Sequence, residues 1–145
     1  MAGKYPGRWV VGADTIVCIN GSILGKPKFR EEAVEMLRRL SGQEHRVLTG
    51  YCVCHLEKGR SDKEAVQTVV RMKLLTPAEM EWYVRTGEPF DKAGGYAIQG
   101  TGSFMIEWIQ GSYTNVVGLP LCELIRMLTR LGAITISESG MRIAE

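Results

Sequence analysis

The sequence is poor in the residues on which cross-linked and metal-stabilised folds depend. Its 145 residues include only four cysteines and two histidines. Cys52 and Cys54 are separated by one residue, whereas structural zinc sites favour a Cys-x-x-Cys turn together with a second pair of ligands. A chain of this length can also bury a core without cross-links. We therefore interpret the cysteines as reduced core thiols of a protein in a reducing cytosol.

Long apolar runs and concentrated charge of one sign are also absent from the sequence. No apolar stretch approaches the length needed to cross a bilayer, and the first residues lack the apolar core of a signal peptide. The 18 basic and 16 acidic residues give a net charge of +2 and are spread along the chain. Nucleic-acid-binding proteins usually concentrate their basic residues on one face. We expect a cytoplasmic protein whose partners include neither a membrane nor a nucleic acid polymer.

What the sequence does contain is an alternation of strand and helix patterns. Asn20-Gly21 predicts a hairpin after the first strand, and Thr76-Pro77-Ala78-Glu79 predicts a capped helix start. This alternation, without a linker or repeat, predicts a single α/β domain over residues 1–145. We predict strands at 9–19, 46–56, 64–75 and 104–109, helices at 30–40, 77–85 and 120–131, a loop at 111–118, and loose ends at 1–8 and 137–145.

Asp14 is the first candidate for a functional residue. It lies within an apolar strand pattern, Val10 to Val17. A buried carboxylate without a partner is costly, so Asp14 should shift its pKa, meet a cation or face a cleft. The structural alternative is an aspartate at a strand end that accepts a hydrogen bond from a nearby turn.

The densest group of candidates lies between Glu88 and Gly102. Glu88, Asp91 and Lys92 fall within five residues, and four glycines follow that would let backbone amides approach a ligand. Carboxylates together with phosphates suit Mg²⁺ or Mn²⁺, and Gln99 could pair with an amide-like base edge. The alternative is a flexible surface loop with ordinary charges. The spacing does not match the Walker A motif.

Two isolated residues could contact phosphate. Lys26 precedes Pro27, which fixes the direction in which the lysine leaves the loop, and His45 lies beside a turn. A solvated lysine and a structural histidine are the alternatives.

Taken in order, these segments resemble the Maf family of nucleoside triphosphate pyrophosphatases. The similarity runs from about Trp9 to Gly132 and implies a mixed, twisted sheet flanked by helices, with two lobes and a cleft, as in inosine triphosphate pyrophosphatases. The motifs that carry it are Gly12-Ala13-Asp14-Thr15, Lys26-Pro27, Leu40-Ser41-Gly42-x-x-His45-x-Val47-x-Thr49-Gly50, Gly87-Glu88-Pro89-x-Asp91-Lys92-Ala93-Gly94-x-Tyr96-x-Ile98-Gln99-Gly100 and Asn115-Val116-Val117-Gly118-Leu119-Pro120.

The resemblance implies cleavage of a nucleoside triphosphate between its α- and β-phosphates, with Mg²⁺ or Mn²⁺ as cofactor. Asp14 would be the general base that activates water, and Thr15 and Gln99 would select the base of the nucleotide. Asp-Thr and Ile-Gln-Gly are typical of the branch that acts on dTTP and UTP, and modified pyrimidine nucleotides are further expected substrates. By the same resemblance, Lys26, Lys92 and His45 would bind phosphate, Asp14, Glu88 and Asp91 would bind the metal, and a homodimer is possible.

One family feature is absent from these 145 residues. The family's first strand and its Ser-x-Ser-Pro-Arg-Arg loop are missing, so we expect an exposed sheet edge beside Trp9 to Ile19. This difference favours an alternative function, a catalytically impaired nucleotide-binding or cell-division regulatory protein. A pyrophosphatase for inosine or a methylated purine is a second alternative, which Thr15 and Gln99 oppose.

Overall fold

The computed structural model describes residues 1–144, and a five-stranded sheet lies at its centre. The strand order is β2-β1-β3-β4-β5, and every neighbouring pair is antiparallel. Two further strands, β6 and β7, pair in a separate hairpin. The strands are β1 (Val10–Ile19), β2 (Ser22–Leu24), β3 (Glu44–His55), β4 (Arg60–Met72), β5 (Ile106–Gln110), β6 (Ile134–Ser137) and β7 (Gly140–Ile143).

Tight turns join two of the neighbouring strand pairs, β1 with β2 and β3 with β4. Asn20 and Gly21, with φ of 48° and 75°, join β1 to β2 in the left-handed conformation that two-residue hairpins require. Gly59, with φ of 60°, lies in the turn between β3 and β4. The predicted α/β class with helices flanking a sheet is confirmed. Every strand pair in residues 1–144 is antiparallel, however, where we predicted a mixed sheet. The longer, helix-containing connections from β2 to β3 and from β4 to β5 also leave each strand antiparallel to its neighbour in the sheet.

Four α-helices are present in the described residues: α1 (Arg30–Leu40), α2 (Pro77–Arg85), α3 (Tyr113–Val117) and α4 (Leu121–Arg130). The bounds of α1 and α2 agree with prediction. In the capping box of α2, the Thr76 hydroxyl accepts from the Glu79 amide at 3.1 Å, and the Glu79 carboxylate accepts from the Thr76 amide at 2.8 Å. Helix α3 occupies the segment that we predicted to be a loop. Its first turn is capped by the Ser112 hydroxyl, which accepts from the Asn115 amide at 3.1 Å.

The helices pack on one face of the sheet. Alternate residues of β3, such as Val47 and Val53, are buried there, whereas Gly50 and Cys52 lie exposed on the other face, called the open face below. Residues of β1, β3 and β4 form one core cluster with α1 and α2, and Tyr51 and Val53 form a second with α4. Cys52 and Cys122 are exposed and Cys18 and Cys54 half-buried, so the expectation of core thiols was wrong.

The outer edge of β1 is largely unpaired within residues 1–144. Strand β2 covers only Val17 to Ile19, and the preceding residues of β1, Val10 to Ile16, pair with β3 on their inner side alone. This arrangement agrees with the exposed edge that we expected.

The two chain ends contain short ordered elements. Ala2–Lys4 forms a 3₁₀ turn, and β7 pairs with β6. Glu145 lies outside the described residues, and the looseness predicted for 1–8 and 137–145 stays a prediction. No helix in residues 1–144 is long and apolar enough to cross a membrane.

Candidate functional site

A cavity of about 330 Å³ lies between the glycine-rich segment and α3. Its walls include Glu88, Lys92 and Gln99, so the structure brings together three of the predicted site residues. The remaining lining residues are Tyr96, Ala97, Ile98, Gly100, Val116 and Val117. Apolar walls with a few polar groups are typical of small-molecule sites.

Lys26 lies beside the segment that carries Lys92. The Gly25 carbonyl, immediately before Lys26, accepts a hydrogen bond from the Gly94 amide at 3.0 Å. Gly94 has φ of 77°, and a Cβ there would lie 3.1 Å from the Val17 side chain, so only glycine allows this close approach. Lys26 is exposed, and Lys92 forms an ion pair with Asp91 at 3.2 Å. The side chains of Lys26 and Lys92 therefore extend from neighbouring loops.

Gln99 is exposed and contacts the start of α3. Its Nε2 donates to the Tyr113 hydroxyl at 3.4 Å. Helix α3 is in turn fixed to the sheet by buried Asn115, whose Nδ2 donates to the Val47 carbonyl at 3.1 Å, the Val66 carbonyl at 3.2 Å and the Thr68 hydroxyl at 3.0 Å. The sequence analysis assigned no role to Tyr113 or Asn115, although an asparagine preceding an apolar run, Asn115 to Pro120, was a visible signal.

Asp14 and Thr15 point to opposite faces of the sheet because they are consecutive in β1. The Thr15 hydroxyl lies 2.7 Å from the Thr49 hydroxyl and donates to the Gly118 carbonyl at 3.3 Å, just beyond Val117 of the cavity wall. Asp14 is exposed on the open face. It borders a separate depression of about 730 Å³. The structure thus places Thr15 next to the Gln99 cavity and Asp14 outside its lining.

His45 is buried and contacts Tyr96 of the cavity wall. Its Nε2 lies 2.5 Å from the Tyr96 hydroxyl, and the two rings meet edge to face. Burial lowers the pKa of His45 to about 4 and raises that of Tyr96, so both are neutral at pH 7. A neutral ring that is 2 % exposed is poorly placed to meet a phosphate. The predicted phosphate-binding role of His45 is untested, and its burial disfavours that role.

The three carboxylates predicted to bind a metal do not form one site. Glu88 accepts from the backbone amides of Thr101 and Gly102, Asp91 pairs with Lys92, and Asp14 lies in the other depression. Within residues 1–144, no group of three or more histidine, cysteine, aspartate or glutamate side chains could hold a metal ion. These three carboxylates therefore do not fit the predicted metal site.

Comparisons with known proteins identify a matching family model and similar sequences. A family model described as Maf-like protein matches residues 1–131. The chain is 53 % identical to a dTTP/UTP pyrophosphatase of Syntrophotalea carbinolica over 94 % of its length, covering 62 % of that relative. It is 54 % identical to the dTTP/UTP pyrophosphatase of Geobacter sulfurreducens, over 92 % of the chain and 70 % of the relative. The corresponding protein of Pyrococcus horikoshii is 48 % identical, over 91 % and 69 %.

Proposed function

The chain belongs to the family of Maf-like proteins, and from this premise we propose that it hydrolyses dTTP and UTP to the monophosphate and pyrophosphate. It spans less than two thirds of the length of the Syntrophotalea carbinolica relative, 62 %. The observation that carries the proposal is the shared cavity of Gln99, Lys92 and Glu88, because it joins a base-reading amide to a cation. Modified pyrimidine nucleotides are proposed as further substrates.

Gln99 would recognise the base. Uracil and thymine present two carbonyls on either side of an imide N–H. A glutamine amide can donate to one carbonyl and accept from the imide, whereas cytosine offers only an acceptor at N3. A mismatched base that covers the Gln99 amide in the complex would leave polar groups unpaired there, which costs about 1–3 kcal/mol for each group. Thr15 would contribute by fixing the Gly118 carbonyl beside the cavity.

Asp14, Lys26 and Lys92 would carry the hydrolysis. A water molecule attacks the α-phosphorus, its proton passes to the Asp14 carboxylate, and the bond from the α-phosphorus to the bridging oxygen breaks. The leaving pyrophosphate gains negative charge, which the two lysine ammonium groups would stabilise. Each group has a distinct task, so each can be tested separately.

Nucleotide binding without hydrolysis is the second candidate function. Asp14 borders the depression on the open face, whereas Gln99 and Lys92 line the other cavity. If the Asp14 carboxylate cannot reach the attacking water, the protein would bind dTTP and UTP without releasing pyrophosphate.

The deciding experiment measures pyrophosphate release and nucleotide binding across UTP, dTTP, CTP, GTP and inosine triphosphate. Each nucleotide is tested with Mg²⁺, with Mn²⁺ and with a chelator, because the divalent cation remains a prediction. We expect kcat/KM for dTTP and UTP to be well above that for CTP, with purines lower still. Equal hydrolysis of CTP or GTP would contradict the base selection, and binding of UTP without any hydrolysis would favour the second candidate.

Two variants separate the proposed roles in the same assay. Asp14→Asn should lower kcat at least about a hundredfold while nucleotide binding is largely retained, since only proton transfer is lost. Asp62→Asn is the matched control and should keep normal turnover, because Asp62 pairs with Arg130 of α4 and lines neither depression. Gln99→Glu should lose the amide donor and reduce the preference for UTP over CTP. Loss of folding in Asp14→Asn, seen by circular dichroism, would instead indicate a structural role.

A further inference from the structure

Glu88 joins two distant parts of the glycine-rich segment. Its Oε2 accepts from the Thr101 amide at 3.1 Å and its Oε1 from the Gly102 amide at 3.4 Å. These two bonds from backbone amides to the Glu88 side chain span 13 and 14 positions of the chain and close the whole segment into a loop. Both carboxylate oxygens are engaged, and hydrogen bonds to a charged acceptor are stronger than neutral ones. We call this pair of hydrogen bonds the Glu88 clasp.

The backbone around the clasp admits little change. Gly100 has φ of 72°, and a Cβ there would lie 3.2 Å from Glu88 Oε1. At Gly102 a Cβ would lie 2.4 Å from the Ala97 carbonyl oxygen and 2.8 Å from the Tyr83 hydroxyl. Gly100 is thus required for the close approach of the segment to the Glu88 carboxylate, and Gly102 for its close approach to Ala97 and Tyr83. The backbone of residues 100–102 and the Glu88 side chain are therefore complementary in shape.

The position of Glu88 itself is fixed by the end of α2. Its amide donates to the Thr86 hydroxyl at 3.2 Å, and the Gly87 amide donates to the Val84 carbonyl at 3.1 Å. The carboxylate therefore extends from a backbone that is hydrogen-bonded to the residues at the end of α2. The Glu88 carboxylate therefore connects residues 101 and 102 to the end of α2.

Gln99 lies between two such ties. Two residues before it, the Ala97 amide donates to the hydroxyl of buried Tyr83 at 3.0 Å. Two residues after it, the Thr101 amide donates to Glu88. The backbone of Gln99 is held from both sides, although its side chain is exposed. Removing the clasp would release one of these two ties.

We propose that Glu88 is a positioning residue that sets Gln99 for base selection through its clasp, and that it does not ligate a metal. The inference rests on the proposed function, because it gives Gln99 the base-reading role. A metal bound to Glu88 would compete with the two amides for the same carboxylate oxygens. The two roles therefore predict different behaviour in the same variants.

The test compares Glu88→Ala, which has no acceptor, with Glu88→Gln, which keeps one acceptor oxygen, and with the exposed control Glu57→Gln. The readouts are the affinities for UMP and CMP, the kcat/KM ratio for UTP over CTP, and the Mg²⁺ concentration that gives half-maximal activity. Amide hydrogen exchange at Thr101 and Gly102, compared with that in α2, reports whether the clasp opens while the fold persists.

We expect Glu88→Ala to lower the preference for UMP over CMP about tenfold, to raise KM more than it lowers kcat, and to speed exchange at Thr101 and Gly102 alone. Glu88→Gln should recover most of the preference at an unchanged Mg²⁺ requirement, and Glu57→Gln should match the unmodified protein. A raised Mg²⁺ requirement in Glu88→Gln with unchanged base preference would overturn the inference in favour of a metal ligand.

The other outcomes separate this inference from the proposed function. A preference for UMP over CMP that survives in Glu88→Ala, or that is missing from the unmodified protein, would overturn the positioning role. Normal UMP preference in a protein that hydrolyses neither UTP nor dTTP would overturn the proposed activity alone, since UMP binding requires no hydrolysis.

Discussion

At the scale of single residues, buried His45 should make the stability of the fold depend on pH. Its pKa falls from 6.5 to about 4 on folding because burial penalises the charged ring. Because the pKa is lowered in the folded state, the neutral ring contributes stability above pH 6.5. This stability is lost as the pH falls from 6.5 to 4, because the unfolded chain binds the proton more readily than the folded chain in this range. The shift corresponds to about 3 kcal/mol at most. Urea unfolding at pH 7, 6, 5 and 4 measures the loss.

Two variants assign this pH dependence to the histidine. In His45→Gln, which cannot titrate, the fall in stability between pH 6.5 and 4 should be smaller by about the same 3 kcal/mol. Tyr96→Phe removes the hydroxyl partner but leaves the ring buried, so it should keep the slope of the unmodified protein. Identical slopes in His45→Gln and the unmodified protein would contradict this explanation.

The proximity of candidate residues could be predicted where they are close in sequence, and contacts between distant residues could not be predicted. Glu88, Lys92 and Gln99 lie within one short segment, so a single loop brings them together. The contact of His45 with Tyr96 spans 51 residues and depends on how the segment folds back over the sheet. A histidine beside a turn therefore looked accessible in the sequence, although its position in β3 directs it into the core.

At the scale of elements, α3 should depend on Asn115 for its place on the sheet. Asn115→Ala removes the donor shared by two carbonyls and a hydroxyl, all at buried or half-buried positions. Leaving such groups unpaired should lower the free energy of unfolding by about 2–4 kcal/mol. Asn115→Asp keeps the shape but not the donor and should be similarly destabilised, whereas Val117→Ala in the same helix should change stability by less than about 1 kcal/mol. Chemical denaturation provides the comparison, and a stable Asn115→Asp protein would show that donation is unimportant.

The prediction of elements succeeded where local signals were strong. Helix α2 begins at a capping box and ends before Gly87, and both signals lie in adjacent residues. Helix α3 was missed because five residues cannot display a helical period, although Ser112 followed by Asn115 marks its cap. The hairpin of β6 and β7 was missed because most of its residues are exposed on both faces and show no alternation.

At the scale of the whole molecule, the free edge of β1 should promote self-association of the 145-residue chain. Val10 to Ile16 offer unpaired backbone groups along an edge that carries a single charge, Asp14. Sedimentation velocity over a range of concentrations should detect dimers or larger species. A lysine on an edge opposes such pairing, so Val11→Lys should restore the monomer.

The control is Ile23→Lys, which adds the same charge to the exposed side chain of β2 and should leave the association unchanged. A monomer for the unmodified chain at every concentration, or an equal response to both lysine variants, would contradict association through this edge.

The alternation of side chains along β1 limits how this strand can change between relatives. A deletion or insertion of one residue before Asp14 would shift the register against β3 and exchange the two faces for every preceding position. If the register of Val10 to Ala13 were kept instead, the shift would move Asp14 to the helix-packed side and Thr15 to the open face. Substitutions carry no such penalty, since each side chain stays on its own face. β1 should therefore vary in composition between homologues while keeping a fixed length from Val10 to Ile19.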